Sequence, residues 1–210
     1  MGSESATMEN AGILALPARK QKSGKVSVQT FMEKYYRRED GCRYEYQDGV
    51  VIKSRCKTPY TMNDYQQYIA NNLTRFFSRL EMEGKVKGIL VAEKDNWLTA
   101  TKYRVPDLCY MSPKDEFEAA EGKRVVTEFA IEIVTPNDTA DYYDEKLEVY
   151  FQAGMKVVWV IYPKTEKVKI YQADQSSITC RGDEICSGAP VLPEFALAAK
   201  DIFKKPPKPA

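Results

Sequence analysis

Histidine is absent from this chain of 210 residues. Without an imidazole there can be no Ser-His-Asp or Cys-His relay, no histidine general base, and no zinc site that needs histidine ligands. Any acid–base or metal chemistry must therefore use carboxylates, lysine, tyrosine or cysteine. This restriction narrows the search for a functional site to a few residue types.

A large excess of one charge is also missing. Lysine and arginine number 31, aspartate and glutamate 30, and the net charge is +1. Such a balance excludes a strongly cationic nucleic-acid coat, but it is compatible with a local basic groove. No apolar run approaches the roughly 18 residues that a membrane helix needs, and the longest, residues 157–162, is typical of a buried strand. We therefore expect no membrane association.

The cysteines show no pairing pattern. Their number is odd and none are in CxxC spacing; they are Cys42, Cys56, Cys109, Cys180 and Cys186. This pattern predicts neither a disulfide framework nor a zinc knuckle, and it favours a reducing, cytoplasmic location.

Length and composition predict a single folded domain. Hydrophobic residues make up 43% of the chain, enough for a substantial core at this size. Residues 1–25 are mostly polar and are predicted to form a mobile tail. Residues 204–210 are basic and rich in proline, which cannot continue a helix, and they are predicted to form a second tail. The domain is expected to span residues 26–203.

Hydrophobic periodicity predicts an α/β fold with a mixed β-sheet flanked by helices. Asp48-Gly49 is typical of a hairpin turn, and the strand–helix–strand unit over residues 125–162 favours a parallel crossover. The predicted helices cover about 28–36, 62–82, 140–153 and 196–203. The predicted strands cover about 43–47, 50–52, 86–91, 108–111, 125–134, 156–162 and 168–171.

Glu132 is the most informative single residue. It lies between two isoleucines in the apolar run 129–134, so its strand is expected to be covered on both faces. Burying a lone carboxylate costs several kcal/mol unless it is paired or binds a metal. A simple pair with a lysine or arginine, or an exposed strand face, remains the structural alternative.

Asp107 and Lys146 extend the pattern. Asp107 follows Pro106 at the start of a predicted central strand, where it could meet Glu132; carboxylates that converge in this way suit a hard cation such as Mg²⁺. Lys146 lies in the helix that returns along the sheet and could stabilise charge on a phosphate. Taken singly, Asp107 is more typical of a turn or strand entry, and Lys146 of a solvated helix surface.

The order of these residues resembles the PD-(D/E)XK nuclease superfamily. The usual lysine position holds Val134, and some members carry that lysine on the next helix, here as Lys146. Over about residues 28–203 the chain is similar to one family of that superfamily, the Uma-type (Uma-two) restriction-endonuclease-like proteins. The matching stretches are RYEYQDG at 43–49, VPDL at 105–108, IEIVTP at 131–136, DEK at 144–146 with Tyr150, AG at 153–154, WV at 159–160 and LPEF at 192–195.

The resemblance implies a restriction-endonuclease-like fold and a DNA endonuclease that depends on Mg²⁺ or Mn²⁺. Asp107 and Glu132 would be catalytic metal ligands, Lys146 the charge-stabilising lysine, and Glu45 an outer catalytic carboxylate that assists the metal or the water. Metal-activated water requires no histidine. The resemblance also implies a homodimer, and alanine at Asp107 or Lys146 is expected to abolish cleavage while leaving the fold intact.

Three positions depart from the family pattern. Gln66 stands where the family commonly has a histidine, Val50 where an acidic residue usually follows the hairpin turn, and Tyr142 where an aspartate often precedes the lysine by one turn. These departures leave open a second interpretation, a catalytically degenerate nucleic-acid-binding or regulatory module on the same fold.

Nucleic-acid contacts are predicted close to the site. Lys102 and Arg104 lie just before Pro106-Asp107 in the sequence and are therefore placed to contact phosphates near the site. Gln66 can still form hydrogen bonds at the position of the family's histidine and is assigned to the same contact. An ordinary basic turn on a solvated surface is the structural alternative for Lys102 and Arg104.

Overall fold

The computed structural model describes residues 24–56, 64–135 and 140–207. The helices are α1 (Val28–Lys34), α2 (Asp64–Met82), α3 (Pro113–Ala120), α4 (Ala140–Gln152) and α5 (Ala199–Ile202). The strands are β1 (Cys42–Gln47), β2 (Val50–Cys56), β3 (Ile89–Ala92), β4 (Asn96–Thr99), β5 (Lys102–Arg104), β6 (Leu108–Met111), β7 (Phe129–Ile133), β8 (Val157–Tyr162), β9 (Lys167–Gln172), β10 (Ser177–Arg181), β11 (Ile185–Gly188) and β12 (Leu192–Ala198).

The central sheet is mixed, as the sequence predicted. Its six strands have the order β10-β9-β8-β7-β6-β3. Strands β7 and β8 are parallel and are joined through α4, whereas their other neighbours are antiparallel. A second, four-stranded sheet has the order β2-β1-β5-β4, and β11 pairs with β12. The α/β fold with helices flanking a mixed sheet is therefore confirmed.

Strand β7 separates two parts of the core because its side chains alternate. Phe129, Ile131 and Ile133 face an apolar cluster that includes residues of α2, β12 and α5. Ala130 belongs to the opposite cluster, which includes Tyr143, Leu147 and Tyr150 of α4. All five residues of β7 are buried. By the two-residue period of a strand, Glu132 lies on the α4 side with Ala130.

Helix α1 packs on the four-stranded sheet. Ser27 caps the helix by accepting a hydrogen bond from Thr30 N–H. Phe31 is fully buried, and its ring lies 5.0 Å from that of Tyr46 and 5.6 Å from that of Tyr103. These aromatic contacts hold β1 and β5 in place, and β1 carries Glu45.

Asp95 ties this aromatic layer together. Its carboxylate accepts a 2.7 Å hydrogen bond from the Tyr36 hydroxyl and further bonds from Tyr103 and Arg37. Burial alone would raise the pKa of Asp95, but these hydrogen bonds outweigh burial and hold the pKa below its ordinary value.

Several predicted elements differ from the observed ones. The helix predicted over 196–203 is wrong in its first half, where residues 192–198 form β12 and only Ala199–Ile202 are helical. The strand predicted from residue 125 begins at Phe129. Helix α3 was not predicted, although Ser112 and Asp115 form a capping box and Pro113 opens the helix.

One cysteine departs from the sequence-based expectation. Cys109, Cys180 and Cys186 are free and buried. Cys42 is disulfide-bonded, at the end of β1 where the strand register aligns it with Cys56 of β2. A disulfide at Cys42 was not predicted from the cysteine pattern, and the cytoplasmic location stays a prediction.

The predicted N-terminal tail, residues 1–25, lies outside the described residues except for its last two positions. The limits of the domain and of both tails stay predictions. None of the described helices combines the length and the apolar character that a membrane span requires.

Candidate active site

Asp107 and Glu132 lie side by side at one end of the β6–β7 pair. The antiparallel register pairs Leu108 with Ile131, so the next step places Asp107 opposite Glu132. Directly opposed side chains share one face of a sheet, with their Cβ atoms about 5 Å apart. Asp107 Oδ2 accepts a 2.7 Å hydrogen bond from Ile133 N–H, which holds the carboxylate against β7.

Helix α4 presents three polar side chains to this face. Tyr142, Lys146 and Tyr150 are four residues apart and therefore lie on one side of the helix. Lys146 Nζ is 2.8 Å from Glu132 Oε1, and the Tyr150 hydroxyl donates a 2.6 Å hydrogen bond to the same oxygen. Glu132 thus has two donors from the crossover helix.

Glu45 joins the cluster from the four-stranded sheet. Its Oε1 lies 3.4 Å from Lys146 Nζ and accepts a 3.0 Å hydrogen bond from Val105 N–H. Its Oε2 accepts a 3.1 Å hydrogen bond from the Tyr142 hydroxyl and lies 3.8 Å from Arg104 Nε. Lys146 therefore bridges two carboxylates that come from different sheets.

Arg43 lies on the Asp107 side of the cluster. Its Nη1 is 3.6 Å from Asp107 Oδ1 and donates a 3.2 Å hydrogen bond to the carbonyl of Val105. Its Nη2 forms a salt bridge with Glu93. The Arg43 side chain is 15% exposed and that of Glu93 is 51% exposed. Arg43 therefore stands at the boundary between the buried site and solvent.

The cluster is buried and electrically balanced. Glu45, Asp107, Glu132 and Lys146 are between 1% and 7% exposed. The three carboxylates are those of Glu45, Asp107 and Glu132, and the three cations are Arg43, Arg104 and Lys146. Buried charges are tolerated when they are paired, and each of these three carboxylates has a cationic neighbour.

The surroundings shift the pKa values of Glu132 and Glu45 in opposite directions. Burial raises the pKa of Glu132, and the nearby charges of Asp107 and Glu45 raise it further against the opposing effect of Lys146. Burial also acts to raise the pKa of Glu45, but Lys146 and Arg104 outweigh it and lower the pKa below its ordinary value. Glu132 is therefore the carboxyl group of the pair that takes up a proton more readily.

Lys146 remains an ammonium in this environment. Burial by itself favours the neutral amine, but Glu132 and Glu45 more than compensate and raise the pKa of Lys146. A fixed positive charge in a buried site can stabilise negative charge that develops on a bound group.

The donor set suits a magnesium-like ion with few protein ligands. Within the described residues, no three or more histidine, cysteine, aspartate or glutamate side chains are grouped so as to hold a metal. Mg²⁺ commonly takes one or two carboxylates together with water and substrate phosphate oxygens. The adjacent pair Asp107 and Glu132 fits that pattern, whereas an all-protein cage is not formed by the described residues.

The residues predicted to contact nucleic acid have different surroundings. Arg104 is 1% exposed, and its guanidinium donates to the carbonyls of Tyr46 and Tyr103 at 3.3 Å each, so in this conformation it faces the protein interior and not a DNA surface. Lys102 is 20% exposed, and its Nζ lies 3.4 Å from Gln152 Oε1. The side chain of Gln66 lies outside the described part of the structure.

Sequence reasoning did not assign roles to Arg43 and Tyr150, and it treated Tyr142 only as a departure. The four-residue spacing of Tyr142 and Tyr150 on either side of Lys146 is visible in the sequence and identifies a common helix face. For Arg43 no local pattern indicates that it contacts Asp107, because the contact depends on how the two sheets are placed.

Comparison with known proteins identifies the family of the chain. A family model described as Uma2, "Putative restriction endonuclease", matches residues 28–200. The chain belongs to the Uma2 family. No curated protein matches this Uma2 chain.

A solved structure shares the fold. The crystal structure of "a putative nuclease belonging to DUF820" from Anabaena variabilis aligns with a TM-score of 0.69 at 16% sequence identity. The alignment covers 85% of the Uma2 chain and 97% of the Anabaena chain. At this level of identity the similarity establishes the fold and leaves the chemistry to be argued from the site.

Proposed function

We propose that this Uma2 protein is a DNA endonuclease that depends on a divalent cation, Mg²⁺ or Mn²⁺. The observation that carries the proposal is the convergence of Asp107, Glu132, Lys146 and Glu45, which come from four separate elements of the chain, in one buried cluster. A purely structural core has little reason to gather three carboxylates, since each must be compensated. The family description supports the same reaction class.

The residues have distinct roles in the proposed hydrolysis. A bound cation would polarise the scissile phosphate and lower the pKa of a water molecule. Asp107 and Glu132 would hold the cation, and the Lys146 ammonium would stabilise charge on the phosphate oxygens. Glu45 would hold Lys146 in position. The oxygen of water would form the new bond to phosphorus and release a proton to solvent, while the bond to the leaving sugar oxygen would break and that oxygen would take up a proton from solvent.

The charge balance favours entry of a cation together with its substrate. The buried carboxylates are already offset by Arg43, Arg104 and Lys146, so a cation that enters alone would add positive charge that the buried side chains do not balance. A phosphodiester brings one negative charge and oxygen ligands of the kind that Mg²⁺ prefers. We therefore expect cation and DNA to bind more tightly together than separately.

A catalytically degenerate nucleic-acid-binding or regulatory module is the second candidate. The observation in its favour is Tyr142, which stands where the family often has an aspartate. Its hydroxyl donates a hydrogen bond to Glu45. Unlike an aspartate, a neutral tyrosine at this position supplies no negative charge to a bound cation. The two functions differ in whether the protein cuts DNA or only holds it.

Cleavage of supercoiled plasmid tests the proposal. Nicking is expected in Mg²⁺ or Mn²⁺ and should disappear in EDTA and in Asp107→Asn, a change that keeps an acceptor for Ile133 N–H but removes the charge. Asp174→Asn, in the turn between β9 and β10, is the matched control and should retain activity. Well-folded protein that binds DNA without cutting it would favour the second function.

Assembly and location are further proposals. We expect a homodimer, as in a nuclease that cuts both strands, and light scattering coupled to gel filtration will measure the mass. A complex that contains one 24.0 kDa chain for each DNA molecule would contradict the dimer. The cytoplasmic location and the DNA contacts by Lys102, Arg104 and Gln66 likewise stay predictions.

A further inference from the structure

Arg43 occupies the place on Asp107 that an entering cation needs. Its guanidinium lies 3.6 Å from Asp107 Oδ1, while Oδ2 of the same carboxylate is engaged by Ile133 N–H. Both oxygens of Asp107 therefore have a positively polarised neighbour. A metal that takes Oδ1 as a ligand brings two positive charges into the space where the guanidinium now lies.

Arg43 is already paired with a second carboxylate, that of Glu93. Glu93 follows β3, and its backbone N–H donates a 3.1 Å hydrogen bond to the carbonyl of Asp107, so the two residues are neighbours on adjacent strands. The Glu93 side chain is paired with Arg43 on the solvent side. It belongs to the wall of an open cleft of about 770 Å³ that Arg37, Lys94 and Lys123 also line.

The two partners of Arg43 differ in what they offer. Asp107 is 7% exposed and sits in the buried cluster, whereas Glu93 is half-exposed at the cleft. If the guanidinium gave up Asp107, its existing salt bridge to Glu93 would keep it paired, and it would face the cleft. Such an exchange avoids leaving a buried arginine without a carboxylate partner, which would be strongly destabilising.

We propose that Arg43 competes with the divalent cation for Asp107 and thereby sets the metal affinity of the site, with Glu93, which already pairs with Arg43, as the partner that retains it when the cation binds. Arg43 is thus a positioning residue that acts through Asp107. The proposal rests on the proposed function, because it requires that Asp107 bind the cation.

Isothermal titration of the full chain with Mn²⁺ tests the competition without any activity measurement. Arg43→Met removes the competing charge and should lower the dissociation constant for Mn²⁺ by about fivefold, the upper end for the loss of one partly exposed ion pair. Arg43→Lys retains a charge that can compete, so its dissociation constant should stay closer to that of the original protein. Arg38→Met is the matched control, because Arg38 is 50% exposed and pairs with Asp40; it should leave the dissociation constant unchanged.

Glu93→Gln gives an independent test in a protein that keeps Arg43. Without the Glu93 carboxylate, Arg43 has no second ion pair to retain when it gives up Asp107. Mn²⁺ should therefore bind more weakly. This variant alters a half-exposed side chain and is suited to the case in which Arg43→Met does not fold. Opposite shifts for Arg43→Met and Glu93→Gln would support the exchange.

The outcomes separate the two proposals. If Mn²⁺ binding depends on Asp107 but is the same or weaker in Arg43→Met, or is tightened equally by Arg38→Met, the competition is refuted and the proposed function stands. If a folded Arg43→Met shows tight binding where the original protein shows none, the competition is supported. If neither protein binds Mn²⁺, or Asp107→Asn binds as well as the original, the metal site itself is wrong and both proposals fall.

Discussion

Replacing Lys146 with methionine should destabilise the Uma2 protein far more than the same change at Lys156. Lys146 is 4% exposed and lies 2.8 Å from Glu132 and 3.4 Å from Glu45. Lys156 Nζ lies 2.7 Å from Glu128, but its side chain is 51% exposed. The two lysines make ion pairs of similar length and differ mainly in burial.

The expected magnitude follows from these distances. At an effective dielectric constant of about 20, the two Lys146 contacts correspond to roughly 6 and 5 kcal/mol of gross attraction. Desolvation of the three ions offsets most of that gain. Removing Lys146 leaves two buried carboxylates without their bridge, for which a loss of about 3–5 kcal/mol is typical. At the exposed Lys156 pair the loss should be at most about 1 kcal/mol.

This estimate changes one expectation drawn from the sequence. Alanine at Lys146 was expected to leave the fold intact, but a loss of about 3–5 kcal/mol is a large share of the 5–15 kcal/mol of a typical domain. Loss of cleavage in a Lys146 variant is therefore evidence about catalysis only when folding has been measured in the same sample.

Urea unfolding followed by circular dichroism at neutral pH provides the assay. The proteins to compare are the original chain, Lys146→Met, Lys156→Met and the double variant Lys146→Met/Glu132→Gln. The double variant should recover part of the loss because a neutral amide needs no counter-charge. The reasoning is refuted if Lys146→Met unfolds within about 1 kcal/mol of Lys156→Met.

Three further predictions concern other parts of the molecule. Tyr150→Phe removes the hydrogen bond to the Glu132 carboxylate and should lower the free energy of unfolding by about 1.5–3 kcal/mol; no change in urea unfolding would show that this bond contributes nothing net. The lowered pKa of Asp95 means that its carboxylate stabilises the fold at pH values above about 4, the ordinary pKa of the group. This stabilisation is lost as the pH falls through the pKa of the folded state. Asp95→Asn should therefore flatten the loss of stability in acid, and an unchanged acid profile would contradict the assignment. Phe195→Ala opens a cavity in the core and should cost about 3–5 kcal/mol, whereas Phe117→Ala, at a side chain that is 65% exposed, should be nearly neutral; equal losses would mean that burial does not govern the difference.

Local patterns in the sequence predicted the large elements well. Helix α2 was predicted over 62–82 and observed over Asp64–Met82, because a long apolar stripe with a period of 3.6 is distinctive. The parallel β7–β8 pair followed from a strand–helix–strand unit, which strongly favours that crossover. These features depend on residues close together in the chain.

Short strands were harder to predict. Residues 192–198 were assigned in part to a helix but form β12, whose Ile185–Ala198 pairing with β11 fixes an extended backbone. Strands β10 and β11 have only four or five residues each, too few for a period of two to stand out. Their conformation is decided by partner strands that local patterns do not specify.

The sequence by itself determined the chemistry available to this protein. With no histidine, any acid–base or metal chemistry is left to carboxylates, lysine, tyrosine or cysteine, and the order of Asp107, Glu132 and Lys146 resembles that of the nuclease superfamily. The tertiary structure alone decided that Tyr142 reaches Glu45, 97 residues away, and that Arg43 faces Asp107. The reason is physical: contacts between distant segments depend on sheet register and on how the two sheets meet, which no short stretch of sequence encodes.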